Sequence, residues 1–127
     1  MTRIEPPARV AFIGLGIMGA AMAANLMKAG FALDISSRSR GKAEALEAAG
    51  ARWRETGAEA AREAAIIGLC VPDTPDVEAA LFGPGGVAEG AQPGAVVIDF
   101  STISASATRD FAQRLAERGV TLLDSPV

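Results

Sequence analysis

The sequence predicts an α/β fold: a doubly wound, mainly parallel sheet. Short apolar runs, rich in β-branched residues, recur along the chain without polar alternation, as strands buried on both faces require. Alanine-rich helical stretches separate these runs, and glycines close several of them. Parallel strands joined through helices make right-handed crossovers, which place helices on both faces of one open sheet.

Each element has its own justification. Arg9–Ile13 is a β-branched and aromatic run ending on glycine, a buried strand. Gly16–Ala29 is helix-forming and stops at Gly30; Phe31–Ser36 reads as the second strand, and Lys42–Ala49 as a helix closed by Gly50. Ala51–Trp53 is a short extended piece before a weak helix at Ala58–Ala64. Ile66–Val71 is the next strand, broken by Pro72, and Pro75–Phe82 a short helix with proline at its start. A Gly83-Pro84-Gly85-Gly86 turn follows. Ala95–Asp99 is a strand entered from Pro93-Gly94, Ser104–Arg118 a long helix capped by Gly119, and Val120–Asp124 the last strand.

Composition narrows the function. The chain has 127 residues, half of them apolar and 21% charged, which fits a single domain with a real core over residues 1–127. A net charge of −3 with interspersed signs gives no reason to expect a nucleic-acid partner. Met1 to Arg9 lacks the apolar segment of a signal peptide, and no later run is long enough to span a membrane, so a cytoplasmic protein is expected. Cys70 is the single cysteine, which rules out an internal disulfide and fits a reducing compartment. Histidine and tyrosine are absent, so imidazole acid–base chemistry and histidine metal sites are excluded; no metal site is expected. The two lysines, Lys28 and Lys42, fall on solvated helix faces. Binding, rather than catalysis, suits this inventory.

Gly14, Gly16 and Gly19 form Gly-x-Gly-x-x-Gly. By itself the pattern is weak, but here it follows the first strand, opens a helix and lies in a βαβ unit, the context of a Rossmann dinucleotide-binding domain. Gly14 allows the tight turn, Gly16 lets backbone approach a pyrophosphate, and Gly19 lets the helix pack closely on the strands. The helix start offers N–H groups and partial positive charge to phosphates. The end of the second strand then selects the ligand. Counting about 20 residues from the motif reaches Asp34, an acid that would favour NAD. Asp34 is mid-strand, however, whereas ligands sit at strand carboxyl ends, here Ser37, Arg38 and Ser39. Two hydroxyls and a guanidinium suit the 2′-phosphate of NADP, with NAD the alternative cofactor. FAD and S-adenosylmethionine sites generally want an acid at this strand end, and none stands there.

Phe12 to Met27, Cys70 to Val77, Ile98 to Ser104 and Leu123 to Val127 together resemble the β-hydroxyacid dehydrogenase family. That family includes 3-hydroxyisobutyrate dehydrogenases and tartronate semialdehyde reductases and is related to 6-phosphogluconate dehydrogenase. The resemblance implies that Leu15, Gly16, Ile17, Met18 and Gly19 wrap the pyrophosphate and nicotinamide ribose. It puts Arg38 with its serine neighbours where NADP-using members place Asn-Arg-Thr. Cys70, Val71 and Pro72 fall beside the cofactor, with Val71 and Pro72 on the adenosine side and Asp76 close by. Thr102, with Ser101 beside it, would approach nicotinamide and substrate. Plainer readings stand beside these: Cys70 and Val71 as core, Pro72 as a strand breaker, and Ser101 to Ser104 as a helix start. Alanines at positions 21 and 105 replace prolines common in the family, and both residues are tolerated in a first helical turn.

The family further implies an oxidoreductase that moves a hydride between NADP and a small 3-hydroxy acid, the small-molecule substrate of the parent protein. In it, Asp-Ser-Pro-Val continues into Ser-Gly-Gly, which grips the substrate carboxylate, and a helical second domain supplies a catalytic lysine. That domain is expected C-terminal to this chain, with the parent protein a homo-oligomer through it. No catalytic residue is assigned within the 127 residues, and the chain alone is expected to bind cofactor without turning over substrate. An imine reductase of similar fold, or a stand-alone non-catalytic NADP-binding module, remains open. The codons after Val127 would separate these readings.

Overall fold

The computed structural model describes residues 8–38, 40 and 43–125. In chain order the elements are β1 (Arg9–Ile13), α1 (Ile17–Lys28), β2 (Ala32–Ser36), α2 (Ala43–Ala48), β3 (Arg52–Trp53) and α3 (Gly57–Ala61). They continue as β4 (Ile66–Leu69), α4 (Thr74–Phe82), α5 (Val87–Gly90), β5 (Val96–Asp99), α6 (Ala105–Ala116) and β6 (Thr121–Asp124). All five strand pairings are parallel, in the order β3-β2-β1-β4-β5-β6. The chain therefore winds outward from β1 in one direction and from β4 in the other. The crevice between β1 and β4 is the switch point at which such sheets bind ligands.

Two apolar layers result from the two-residue period of the strands. Val10 and Phe12 of β1 join Leu33, Ile35 and Ala23 on the face covered by α1 and α2. Ala11 and Ile13 join Ile67, Leu69 and Val97 on the opposite face, under Ala60, Leu81, Phe111 and Leu115. The expected strands and helices are all present, the first strand with the bounds expected and the others shifted by at most three residues. The sequence reading missed α5. It is too short to show a helical period, and tertiary contact holds it: a side chain on Gly90 would run into the backbone of Ala58. The two edges also depart from the expectation of strands buried on both faces. β3 has only two residues, and β6 is largely exposed. Among the described residues no helix is long and apolar enough to cross a membrane.

Candidate functional site

The carboxyl ends of the central strands are tied to one another before any side chain acts. Gly14 N–H donates to the Ser36 carbonyl at 3.0 Å, Cys70 N–H to Ile13 at 3.0 Å, and Phe100 N–H to Leu69 at 2.8 Å. A cleft of about 1240 Å³ opens on this edge.

The glycine turn forms its base, and its three glycines differ in what surrounds them. Gly14 has φ +90°, and a Cβ there would strike the Cys70 carbonyl oxygen. A Cβ on Gly19 would strike the Gly14 carbonyl, so α1 sits directly on the turn. Gly16 differs from both: a Cβ there meets no protein atom within 4 Å. It faces open cleft, the volume that a closely approaching ligand would use. Gly16 is also the N-cap of α1, with no side-chain cap and no acid in the first turn, so the helix start keeps its N–H groups and partial positive charge for an anion. These features fit a dinucleotide pyrophosphate.

At the end of β2, Ser37 Oγ accepts the Leu15 N–H at 3.3 Å, pinning this loop to the glycine turn. Arg38 projects from the same loop, 78% exposed, and its Nη2 lies 3.1 Å from Asp76 Oδ1 in α4. Ser39, the third expected member of this group, lies outside the described residues. Asp34 takes no part. It is fully buried, its Oδ1 accepts from Arg9 at 2.8 Å and from Arg52 at 2.6 Å, and its Oδ2 accepts from Arg52 at 2.9 Å. These bonds, and after them the one to Glu63, hold the Arg52 guanidinium well above its ordinary pKa.

Gly14, Leu15, Gly16, Ile17, Met18, Gly19, Ser37, Arg38, Cys70, Val71, Pro72 and Asp76 all line the cleft. Thr102 and Ser101 do not. Thr102 is exposed beyond β5, while Ser101 is buried, 3% exposed. Ser101 instead couples two strands: its Oγ accepts the Val71 N–H at 2.9 Å and its own N–H donates to Asp99 Oδ1 at 2.9 Å. The other Asp99 oxygen is buried without a hydrogen-bond partner. Burial raises the Asp99 carboxyl pKa, partly offset by the Ser101 bonds. Burial and then the Asp99 charge also push the Cys70 thiol up, so this half-buried cysteine is not an activated nucleophile.

The cleft also takes residues that the sequence reading did not select: Trp53, with Arg40 stacked 4.9 Å from its ring centre, and Thr56, Gly57, Gly85 and Gly86. They come from the β3–α3 connection and the turn before α5. The Gly-Pro-Gly-Gly run was a visible turn signal, but its approach to Thr56 is a tertiary fact. Among the described residues, no group of three or more Cys, Asp or Glu is placed to hold a metal ion.

The raised Asp99 carboxyl has a measurable consequence. A carboxyl that holds its proton more tightly folded than unfolded contributes stability that is full in acid, below its ordinary pKa. That stability is lost as pH rises through the folded value. Asp99→Asn is neutral throughout and keeps the contribution, so the variant should match the parent in acid and exceed it near neutrality. Urea titrations at several pH values test this. A variant less stable than the parent at neutral pH would mean that the charge is needed to anchor Ser101.

A parallel sheet wound in both directions from its centre, with a glycine turn leading into an uncapped helix at the switch point, defines a Rossmann dinucleotide-binding domain. Residues 9–127 match the family described as the NAD binding domain of 6-phosphogluconate dehydrogenase, and the chain belongs to that family. It is 40% identical over 119 residues to the 2-hydroxy-3-oxopropionate reductase of Escherichia coli, an alignment covering 94% of this chain and 40% of that protein. The 3-hydroxyisobutyrate dehydrogenase of Mycobacterium tuberculosis, solved with L-serine, superposes with a TM-score of 0.87 at 32% identity, over 94% of this chain and 40% of that one. Psf3, solved in complex with NADP+ and 2-OPP, superposes with a TM-score of 0.83 at 29% identity, over 89% and 40% of the two chains. The chain thus spans about two fifths of the length of these proteins.

Proposed function

We propose that this domain binds NADP in preference to NAD, and that the protein to which it belongs is a hydroxyacid dehydrogenase. The observation that carries the cofactor choice is Arg38, an exposed guanidinium on the cleft at the carboxyl end of β2, with the acid of that strand buried under arginines and out of reach. The NADP+ bound to Psf3, a structural relative, agrees with this choice. The similarity to a 2-hydroxy-3-oxopropionate reductase and a 3-hydroxyisobutyrate dehydrogenase supports a small hydroxy acid as substrate.

When bound, the nicotinamide would supply or accept a hydride at C4. The residues here bind and orient it. Gly16 and the start of α1 would hold the pyrophosphate and Arg38 the 2′-phosphate, with Cys70, Val71 and Pro72 as a wall; the family resemblance would set Thr102, exposed just past β5, toward the substrate. Proton transfer on the hydroxyl comes from a lysine of a second, helical domain, through which the protein also assembles as a homo-oligomer. Lys28 is unsuited to that task, because it ends α1 and stands roughly 16 Å along the helix from the turn. Ile17 and Met18, exposed on the lip of the cleft, are apolar surface for the second domain to cover.

Fluorescence titration of the chain with NADPH and NADH tests the cofactor choice. The parent chain should bind NADPH more tightly, and Arg38→Ala should weaken NADPH by about 1.5–3 kcal/mol, the worth of a hydrogen bond to a charged group. NADH should change little. Equal curves for the two cofactors in the parent chain would refute the preference.

A further inference from the structure

Arg38 and Asp76 approach the cleft from different elements, one in the loop after β2 and one in the first turn of α4, and both line it. The 3.1 Å ion pair between them therefore joins two parts of the site. Its members are not equally free. Asp76 Oδ2 accepts the Asp73 N–H at 3.1 Å, closing the start of α4, so this carboxylate is held by the helix it caps. Arg38 is 78% exposed and has the long, adjustable side chain. A carboxylate offers a guanidinium the same paired, anionic oxygens that a phosphate does.

We propose that Asp76 is an internal competitor for the Arg38 guanidinium and thereby sets how strongly the domain prefers NADPH over NADH. This rests on the reading that Arg38 receives the 2′-phosphate. A 2′-phosphate has to draw Arg38 away from a partner already in place. NADH, with a hydroxyl at that position, makes no such demand. Asp76 thus narrows the preference that Arg38 creates, and it is a specificity-determining residue even though its sign of charge is wrong for a phosphate site.

Asp76→Asn removes the charge and keeps an oxygen for the Asp73 N–H, and Asp76→Gln does the same through the longer side chain usual at this place in a capping box. NADPH affinity should rise about two- to fivefold in both variants, the scale of an exposed ion pair, with no matching rise for NADH. In an Arg38→Ala background the gain should disappear, because no guanidinium is left to compete for. Thermal melts confirm that the variants fold, and two caps of different length prevent a local helix defect in one from deciding the result. If neither variant gains affinity for NADPH, or if the full gain persists without Arg38, Asp76 does not act as a competitor. If the parent chain and Arg38→Ala bind NADPH equally, the cofactor reading has failed and the inference falls with it. A parent chain that loses NADPH on Arg38→Ala, beside Asp76 variants that leave the preference unmoved, would overturn the inference alone.

Discussion

Gly16→Val is expected to abolish NADPH binding while leaving the domain folded. Valine can adopt the observed φ of −70° and ψ of −172° without strain, and a Cβ at this position touches no protein atom. As an N-cap valine is poorer than glycine, at a cost of roughly 1 kcal/mol, which a domain of this size survives. The branched side chain would fill the open part of the cleft at the start of α1, where the pyrophosphate needs contact with the backbone. Gly14→Ala and Gly19→Ala should behave in the opposite way. They add only one methyl, but one drives it into the Cys70 carbonyl at a positive φ and the other into the Gly14 carbonyl. Circular dichroism melts beside NADPH titrations separate the two outcomes. Normal binding by a folded Gly16→Val chain would show that the turn is only structural.

Asp34→Ala is expected to destabilise the fold by about 3 kcal/mol, the lower end of what removing one partner of a buried ion pair costs. The lower end applies because Arg9, Arg52 and Arg54 keep 29–43% of their side-chain surface in water. Without the carboxylate, three guanidiniums crowd one another, with only Glu63 among the described residues left to offset them. Arg52 pairs directly across from Asp34 in the β2–β3 register, and β3 has just two residues, so the bidentate bond between them is a large part of what keeps this edge on the sheet. The fall in the urea midpoint measures the effect. A shift no larger than that of an ordinary surface substitution would show that β3 is held by its backbone alone.

Much of this was legible in the residues, for a physical reason. The apolar runs, the glycine turn and the helix-stopping glycines are local signals, each decided by a few neighbours in the chain, and they yielded the sheet and the base of the site. Asp34 was set aside as a ligand contact because its place in mid-strand is a local fact, and the structure buries it against arginines. Its actual partners, at positions 9, 52 and 54, come from two separate segments and depend on strand register, though a lone acid in an apolar strand was a signal that such partners had to exist. Ser101 shows the opposite limit. The family resemblance set it beside Thr102 toward a substrate, whereas its hydroxyl is turned inward to accept the N–H of Val71, 30 positions away. The Arg38–Asp76 pair and the Thr56–Gly85 wall are likewise products of topology.

The open space beside Gly16 also bears on how such a domain diverges. Gly14 and Gly19 answer to the fold, since their side-chain positions are taken by the chain's own carbonyl groups. Gly16, whose side-chain position is open and whose N-cap role is cheap to replace, would answer chiefly to the proposed ligand. In a descendant that gave up its nucleotide but kept its fold, selection would go on removing changes at positions 14 and 19 and would stop seeing those at position 16. A lineage that keeps the outer two glycines and loses the middle one would thus have put this scaffold to another use, and that single position would date the change.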